Sequence, residues 1–540
     1  MSTSSASASH AASSPGSSRL LLAAIVLCFV LSGFAALLYQ TAWLRLFSIY
    51  FGTSEYAVAT VLAAYMGGLA LGAHVSGRFL SQIRRPVLVY GALEGLIAAS
   101  ALAVPLLLQG FGALYALVLG GQPAPPSAGG LGQPAFYLVA SFLVLLLPTA
   151  CMGATLPILM RHVIRSQREV GPRTGLLYCC NTLGAVAGTL VAGFLLLPAL
   201  GLQKTVWVGV GANALVFLVA LWVSRLGSEA EPDSGWLESP ASASSQPRAG
   251  AAFFILPLML LSGVVSFSYE VLWTRLLGYV LGGSVTAFST MLAAFLGGIA
   301  LGGGFGGAIA STRARALSAF VATQTLIGLT SAAVYAWIEV YTPGERSTLA
   351  HAALAIAVLL PSTVFIGATF PLAVRVLARD ESNASGAAAR IYAWNTSGAI
   401  VGSIAATFLI VPWLGFAGTA RLAVTISLAL AFAAALRLER ARARRSTCVG
   451  LSALILLATL GWRPERPRLV THNAFTTAQP TSHEEFYAVG RSAAVRVLSD
   501  LHQLKVFSNA LPEAGIKRRG AQPSLQSQQW LGTGPPLFRP

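Results

Sequence analysis

Charged side chains are scarce in this chain: they make up 10% of its 540 residues, against roughly a quarter in soluble domains. That scarcity, beside a hydrophobic content of 55%, excludes an ordinary soluble globular domain. Carboxylates are the rarest charged groups, with 18 Asp and Glu against 35 Lys and Arg, so a carboxylate inside an apolar run asks for an explanation. Cysteine is scarce as well. Cys28, Cys151, Cys179, Cys180 and Cys448 all lie in apolar segments, and neighbours such as Cys179 and Cys180 leave a helix in different directions. Neither a disulfide framework nor a metal site follows from them, and packing is the expected role.

Long apolar runs are abundant. Twelve can cross a hydrocarbon layer of about 30 Å: residues 19–42, 56–79, 87–110, 134–160, 174–199, 204–224, 252–274, 286–310, 316–338, 348–374, 390–412 and 418–436. A weaker thirteenth covers 447–462. Backbone amides in lipid must bond within their own segment, so these runs are expected to be helices. The first is too long for a signal peptide, and Tyr39, Gln40 and Trp43 stand where small cleavage-site residues would be needed. Residues 1–18, rich in Ser and Ala, read as a disordered leader.

The net charge of +17 is unevenly placed. Loops after even-numbered helices hold about 19 Lys and Arg, among them Arg84, Arg85, Arg161, Arg165, Arg168, Arg375 and Arg379, and loops after odd-numbered helices about 5. By the positive-inside rule this puts the amino terminus and the even loops in the cytoplasm. The charge is topological and leaves little basic surface for nucleic acid. Arg442, Arg444 and Arg445 can also meet anionic lipid headgroups.

One phrase is written twice: LSGFAALLYQTAWLRL at 31–46 and LSGVVSFSYEVLWTRL at 261–276. Aligning 31–77 with 261–307 without a gap gives about 20 identities in 47 positions. Past the Pro/Gly-rich loop at 120–134 the offset changes from 230 to 214. There Gly153–Pro157 (GATLP) meets Gly367–Pro371 (GATFP), and Tyr178, Asn181, Gly184, Gly188, Pro198 and Gly201 meet Tyr392, Asn395, Gly398, Gly402, Pro412 and Gly415. The chain therefore reads as two copies of a six-helix unit. An even helix number gives both copies one orientation, the plan of major facilitator transporters. The resulting expectation is an all-α polytopic membrane protein. Its first repeat spans 19–224, a polar linker 225–250, the second repeat 251–437, a basic loop and weak helix 438–463, and a tail 464–540. Duplicated bundles can also serve as anchors or scaffolds, so transport does not follow from duplication alone.

The duplication exchanges carboxylates reciprocally. Gln40 matches Glu270, and Glu94 matches Gln324. A carboxylate within a span is a functional candidate because its burial costs several kcal/mol unless it is paired or hydrated. Glu94, Glu270, Gln40, Gln324 and the matched Asn181 and Asn395 are the candidate solute-binding residues. Tyr39, Trp43 and Arg45, with Tyr269, Trp273 and Arg275, read as interface or structural positions. Gly67, Gly68, Gly72 and Gly77 recur as Gly297, Gly298, Gly302 and Gly307, a pattern for close helix packing. The run Gly209–Ala214 spells a dinucleotide fingerprint by letters, but no strand precedes it, so it carries no such function.

In the tail, SAAVRVL and QLKVFSN alternate apolar and polar residues around SDLH, which reads as a β-hairpin. The repeated Tyr-Glu/Gln-x-x-Trp-x-Arg, the GATLP and GATFP motifs and the tail GRSAAVRVL, NALPEA and QQWLGTGPPLFRP resemble bacterial membrane proteins that fuse a facilitator-like domain to a spermidine synthase-like domain. The resemblance implies an inner-membrane protein and a polyamine as solute or substrate. It also implies that the tail is the small β region before an aminopropyltransferase core, which would bind decarboxylated S-adenosylmethionine. That core and its cofactor glycines have no counterpart here, so no catalytic residue or cofactor is assigned to this chain, and a separate catalytic polypeptide would have to complete the enzyme. The family's Tyr-His-Glu falls on Ser527, Gln528 and Gln529, and the loop at 77–86 lacks the aspartate of the transporter signature. If 447–462 spans the membrane, the tail lies outside the cytoplasm.

Overall fold

The computed structural model describes residues 15–51, 55–118, 132–226, 254–282, 284–342, 348–438, 442–471, 483–490, 493–499, 503–509 and 511–517. Of the expected leader, residues 1–14 fall outside these, as do almost all of the 225–250 linker and Ser527, Gln528 and Gln529.

The first repeat contains α1 (Pro15–Phe51), α2 (Glu55–Phe79), α3 (Pro86–Val118), α4 (Gly132–Val163), α5 (Val170–Val191) and α6 (Leu197–Leu226). The second contains α7 (Ile255–Leu281), α8 (Val285–Ile309), α9 (Arg313–Val340), α10 (Thr348–Leu377), α11 (Ala384–Ala405) and α12 (Val411–Leu438). Nine stretches of the described chain are long and apolar enough to cross a membrane, and two of them, Gln167–Arg225 and Ala384–Leu438, hold two helices each. The chain is a multi-pass membrane protein of two six-helix repeats.

The two double stretches turn by the same device. A π-helical turn, Ala192–Leu196 or Ala406–Ile410, leads to a glycine of positive φ, +75° at Gly201 and +66° at Gly415. A side chain at such a φ meets its own backbone, so the glycines matched by the repeat sit where the chain reverses.

Close backbone approach explains the other repeated glycines. Gly68 lies against Thr149 and Gly72 against the Ala150 carbonyl, joining α2 to α4; Gly298 against Thr363 and Gly302 against Val364 join α8 to α10 in the same register. Gly33 and Gly263 face the backbone of Asn181 and Asn395, which sets α1 on α5 and α7 on α11. With little hydrophobic drive between helices in lipid, such contacts carry the packing.

The halves meet through α5 with α8 and α2 with α11. Gly171 rests on Ala310, Gly175 on Gly307, and Gly193 on Ser289; Gly77 rests on Ala389. One apolar core gathers both halves at the end holding the start of α1 and the loops after even-numbered helices, with Phe29, Leu159, Leu177, Phe320, Phe370 and Leu438 among its members. At the opposite end each half builds its own core, one around Trp43 and the other around Trp273. Across the shared end, Tyr178 of α5 and Phe370 of α10 place their rings 4.7 Å apart.

The weak thirteenth run is helix α13 (Arg442–Leu460), which packs beside α12. Its last carbonyl, Leu460, accepts from Nη2 of Arg421, six residues past the Gly415 kink of α12, at 2.6 Å. Thus α13 returns along α12 to the end where the cores are separate. There Tyr335 donates to the Glu465 carbonyl (3.1 Å) and the Glu465 amide donates to Glu339 Oε1 (2.6 Å). After the short α14 (Arg468–Thr471) come β1 (His483–Val489), β2 (Ala494–Ser499), β3 (Gln503–Ser508) and β4 (Leu511–Lys517). They form one antiparallel sheet in chain order. The expected hairpin is its β2–β3 pair. The outer strands go unannounced because β1 is largely exposed and β4 carries Pro512, which only an edge strand accepts.

Candidate functional site

The two halves treat their polar positions differently. In the first, Glu94 of α3 is fully buried. Ser32 of α1 donates to its Oε1 at 2.5 Å, Asn213 of α6 donates to its Oε2 at 2.5 Å, and Tyr39 of α1 donates to Asn213 Oδ1 at 2.9 Å. Three helices are thereby pinned by one carboxyl group inside the half. Gln324 of α9, the counterpart of Glu94, is also buried and donates to Ser262, the counterpart of Ser32, at 3.0 Å. Asn213 has Ser427 in its matched place, buried in α12 beside Tyr269.

Tyr39 and Trp43 stack at 5.0 Å with an 8° interplanar angle, and Tyr269 and Trp273 at 6.4 Å and 7°. All four rings are inside their halves rather than at a lipid boundary. Arg45 is exposed. Arg275 reaches the tail, where its Nη2 donates to the Gly490 carbonyl at 2.9 Å and its guanidinium lies 5.8 Å from the Phe416 ring.

Glu270 sits otherwise. It is half-buried on α7 in a narrow cleft walled by Phe288, Met291, Leu292 and Phe295 of α8 and Leu359 of α10, with Thr274 one turn away. No hydrogen bond or ion pair joins its carboxylate to a described residue. The cleft lies toward the end where the two cores are separate, since Phe288 stands in the first turn of α8. Gln40, its counterpart, is also half-buried, as are Asn181 and Asn395. Glu94 and Gln324 thus lie within separate halves, while Glu270 opens onto a cleft. Asn213 is the site residue the sequence did not single out, although an amide in an apolar helix, matched to Ser427, was a signal.

No protein-family model matches the chain. Polyamine aminopropyltransferase 2 of Streptomyces coelicolor is 31% identical over 204 residues, 35% of each protein. Polyamine aminopropyltransferase 1 of the same organism is 25% identical over 222 residues, 39% of each. The matches span little more than a third of those relatives. A crystal structure of a bacterial homologue of the iron transporter ferroportin, in an outward-facing state with soaked iron, is similar with a TM-score of 0.51 and 14% identity. The similarity covers 77% of this chain and 99% of that one. At that identity the likeness shows a shared fold and nothing more.

Proposed function

We propose that the chain is an inner-membrane transporter for a small organic cation, bound at a cleft of the second repeat with Glu270 as its counter-charge. The observation that carries this reading is the Glu270 carboxylate, half-buried and unpaired among described residues, in the cleft of a facilitator-like fold. An unpaired carboxylate in apolar surroundings is costly until a cation or proton joins it. The amino terminus is cytoplasmic on the charge distribution, so the shared core closes the cytoplasmic end and the cleft faces outward. Gln40, Asn181 and Asn395, half-buried on other helices and outside the cleft wall, are proposed as further polar groups on the solute's path. Polyamines are one class of such cations, favoured by the resemblance to polyamine aminopropyltransferases.

The test is uptake of labelled putrescine and monoamines into proteoliposomes holding the full chain. Glu270→Gln is expected to abolish Glu270-dependent uptake without loss of folding, because Gln40 shows that an amide fits the matched place. Uptake equal to the parent would sink the reading.

A second reading, a membrane-tethered aminopropyltransferase completed by another polypeptide, is favoured by the same relatives. On it, the tail sheet would mark where a catalytic domain attaches, and decarboxylated S-adenosylmethionine would be the aminopropyl donor. Aminopropyl transfer restored by adding a candidate catalytic polypeptide to the purified chain would support it, and no transfer would count against it.

A further inference from the structure

We propose that the end of the bundle holding the start of α1 carries a phosphate-binding site where the halves meet, anchored by Arg375, with the phosphate of an anionic lipid or of a free phosphate ester as its ligand. Arg375 stands in the last turn of α10, and its neighbours Leu372, Val374 and Val376 belong to the apolar core that gathers both halves. The residue is 7% exposed. Its Nε is sealed from solvent without an acceptor, and no hydrogen bond or ion pair joins its guanidinium to a described residue. Arginine keeps its charge in proteins, and a charge taken out of water without a partner is unfavourable until an anion meets it.

The repeat writes this arginine twice. Arg161 follows the proline of GATLP by four residues, as Arg375 follows that of GATFP, and Arg161 also has no partner among the described residues. The loops after the two helices meet, since Nε2 of Gln167 donates to the Arg379 carbonyl at 3.4 Å. Residues 161–173 and 375–390 together hold seven arginines and three carboxylates, and the carboxylates do not serve Arg375. Glu169 accepts from the Arg165 amide at 3.0 Å and pairs with Arg173 at 3.6 Å. Asp380 accepts from the amide and side chain of Asn383 at 2.9 and 2.8 Å. Glu381 bonds to none of these arginines. Arg379 and Arg390 lie near enough to repel each other. The junction is therefore cationic, with one of its charges sunk into apolar packing. A guanidinium fork matches the oxygens of phosphate, and basic positions between membrane helices at their cytoplasmic ends meet lipid headgroups. Several arginines around one place suit phosphate, which carries more charge and more oxygens than a carboxylate.

The site is separate from the Glu270 cleft, so its failure would leave the transport reading standing. The experiment uses the purified full chain. In neutral detergent, inorganic phosphate and, as a control anion, acetate are titrated at constant ionic strength and read by thermal shift. In nanodiscs of phosphatidylcholine with or without phosphatidylglycerol, retained lipid is counted by native mass spectrometry. At least one phosphate source is expected to bind saturably, with acetate at least tenfold weaker. That binding should fall at least tenfold in Arg375→Gln and stay unchanged in Arg444→Gln, an exposed arginine of α13 at the same end. Binding of phosphatidylglycerol alone assigns the site to lipid, and binding of inorganic phosphate assigns it to a free ester. No saturable binding of either source, binding that survives Arg375→Gln, or acetate as tight as phosphate would overturn the inference. Should Arg375→Gln not fold, Arg375→Lys, which keeps the charge and loses the fork, decides: a several-fold loss supports the site, and binding equal to the parent overturns it.

Discussion

The hydroxyl of Ser32 donates to Oε1 of Glu94 over 2.5 Å, and the 62 residues between them also separate Ser262 from Gln324, which meet at 3.0 Å in the other half. Duplication kept the strut and changed the acid to its amide. A neutral group of the same shape serves at Gln324, so neutrality is compatible with the fold at this place. The two intramembrane carboxylates are accordingly placed differently, Glu94 holding α1, α3 and α6 together and Glu270 facing a cleft.

Glu94→Gln should therefore fold like the parent, whereas Glu94→Ala leaves Ser32 and Asn213 without acceptors. Each buried group so orphaned costs about 1–3 kcal/mol. Thermal unfolding in detergent should show a clear drop for the alanine variant and little change for the glutamine one. Equal drops in both would mean that the charge itself is needed.

Tyr39→Phe removes the hydroxyl that orients Asn213 and should cost on the order of 1 kcal/mol. Its ring stack with Trp43 would survive. A cost no different from zero in the same melt would show that Asn213 is oriented by something else.

At Gly302, an added methyl runs into the Val364 carbonyl, and at Gly72 into that of Ala150. Backbone cannot yield as a side-chain tip can. Gly302→Ala should destabilise the α8–α10 pair by roughly 1–3 kcal/mol, while Gly450→Ala, in open space on α13, should be neutral. Similar melts for the two would argue that the α8–α10 approach is looser.

Glu484 of β1 accepts from Arg466 at 2.6 Å and from Arg496 at 2.7 Å. Burial alone would raise its pKa, but the hydrogen bonds and charge of Arg466, then of Arg496, outweigh it and hold the carboxyl below its usual value. A depressed folded pKa gives stabilisation that is complete above the ordinary glutamate range near about 4.3 and fades as pH falls through the lower folded value. Amide protection factors in β1 and β2 should therefore fall in acid, and Glu484→Gln should remove that acid dependence. An unchanged profile in the variant would assign it elsewhere.

Much of the bundle was legible because duplication repeats physical constraints. Gly68 and Gly298 recur at an offset of 230 because each sits where α2 or α8 touches a threonine, and Gly201 and Gly415 recur because each turns at positive φ. The partners of Glu94 were not legible, since nothing in an apolar run says which polar side chains 62 or 119 residues away will meet. Asn213 lay hidden in a run that spells a nucleotide motif. The thirteenth helix was longer than its apolar stretch, because Arg442, Arg444 and Arg445 extend it at the basic end. Arg275 and Gly490 lie 215 residues apart, so where the tail docks could come only from the fold.

The most direct test of a Glu270 cleft facing the side opposite the amino terminus is thiol labelling. Glu270→Cys, placed in a chain whose five native cysteines are replaced, would be treated with a membrane-impermeant maleimide from either face of oriented vesicles. Labelling from the face opposite the amino terminus is the predicted result; labelling confined to the amino-terminal face would contradict it.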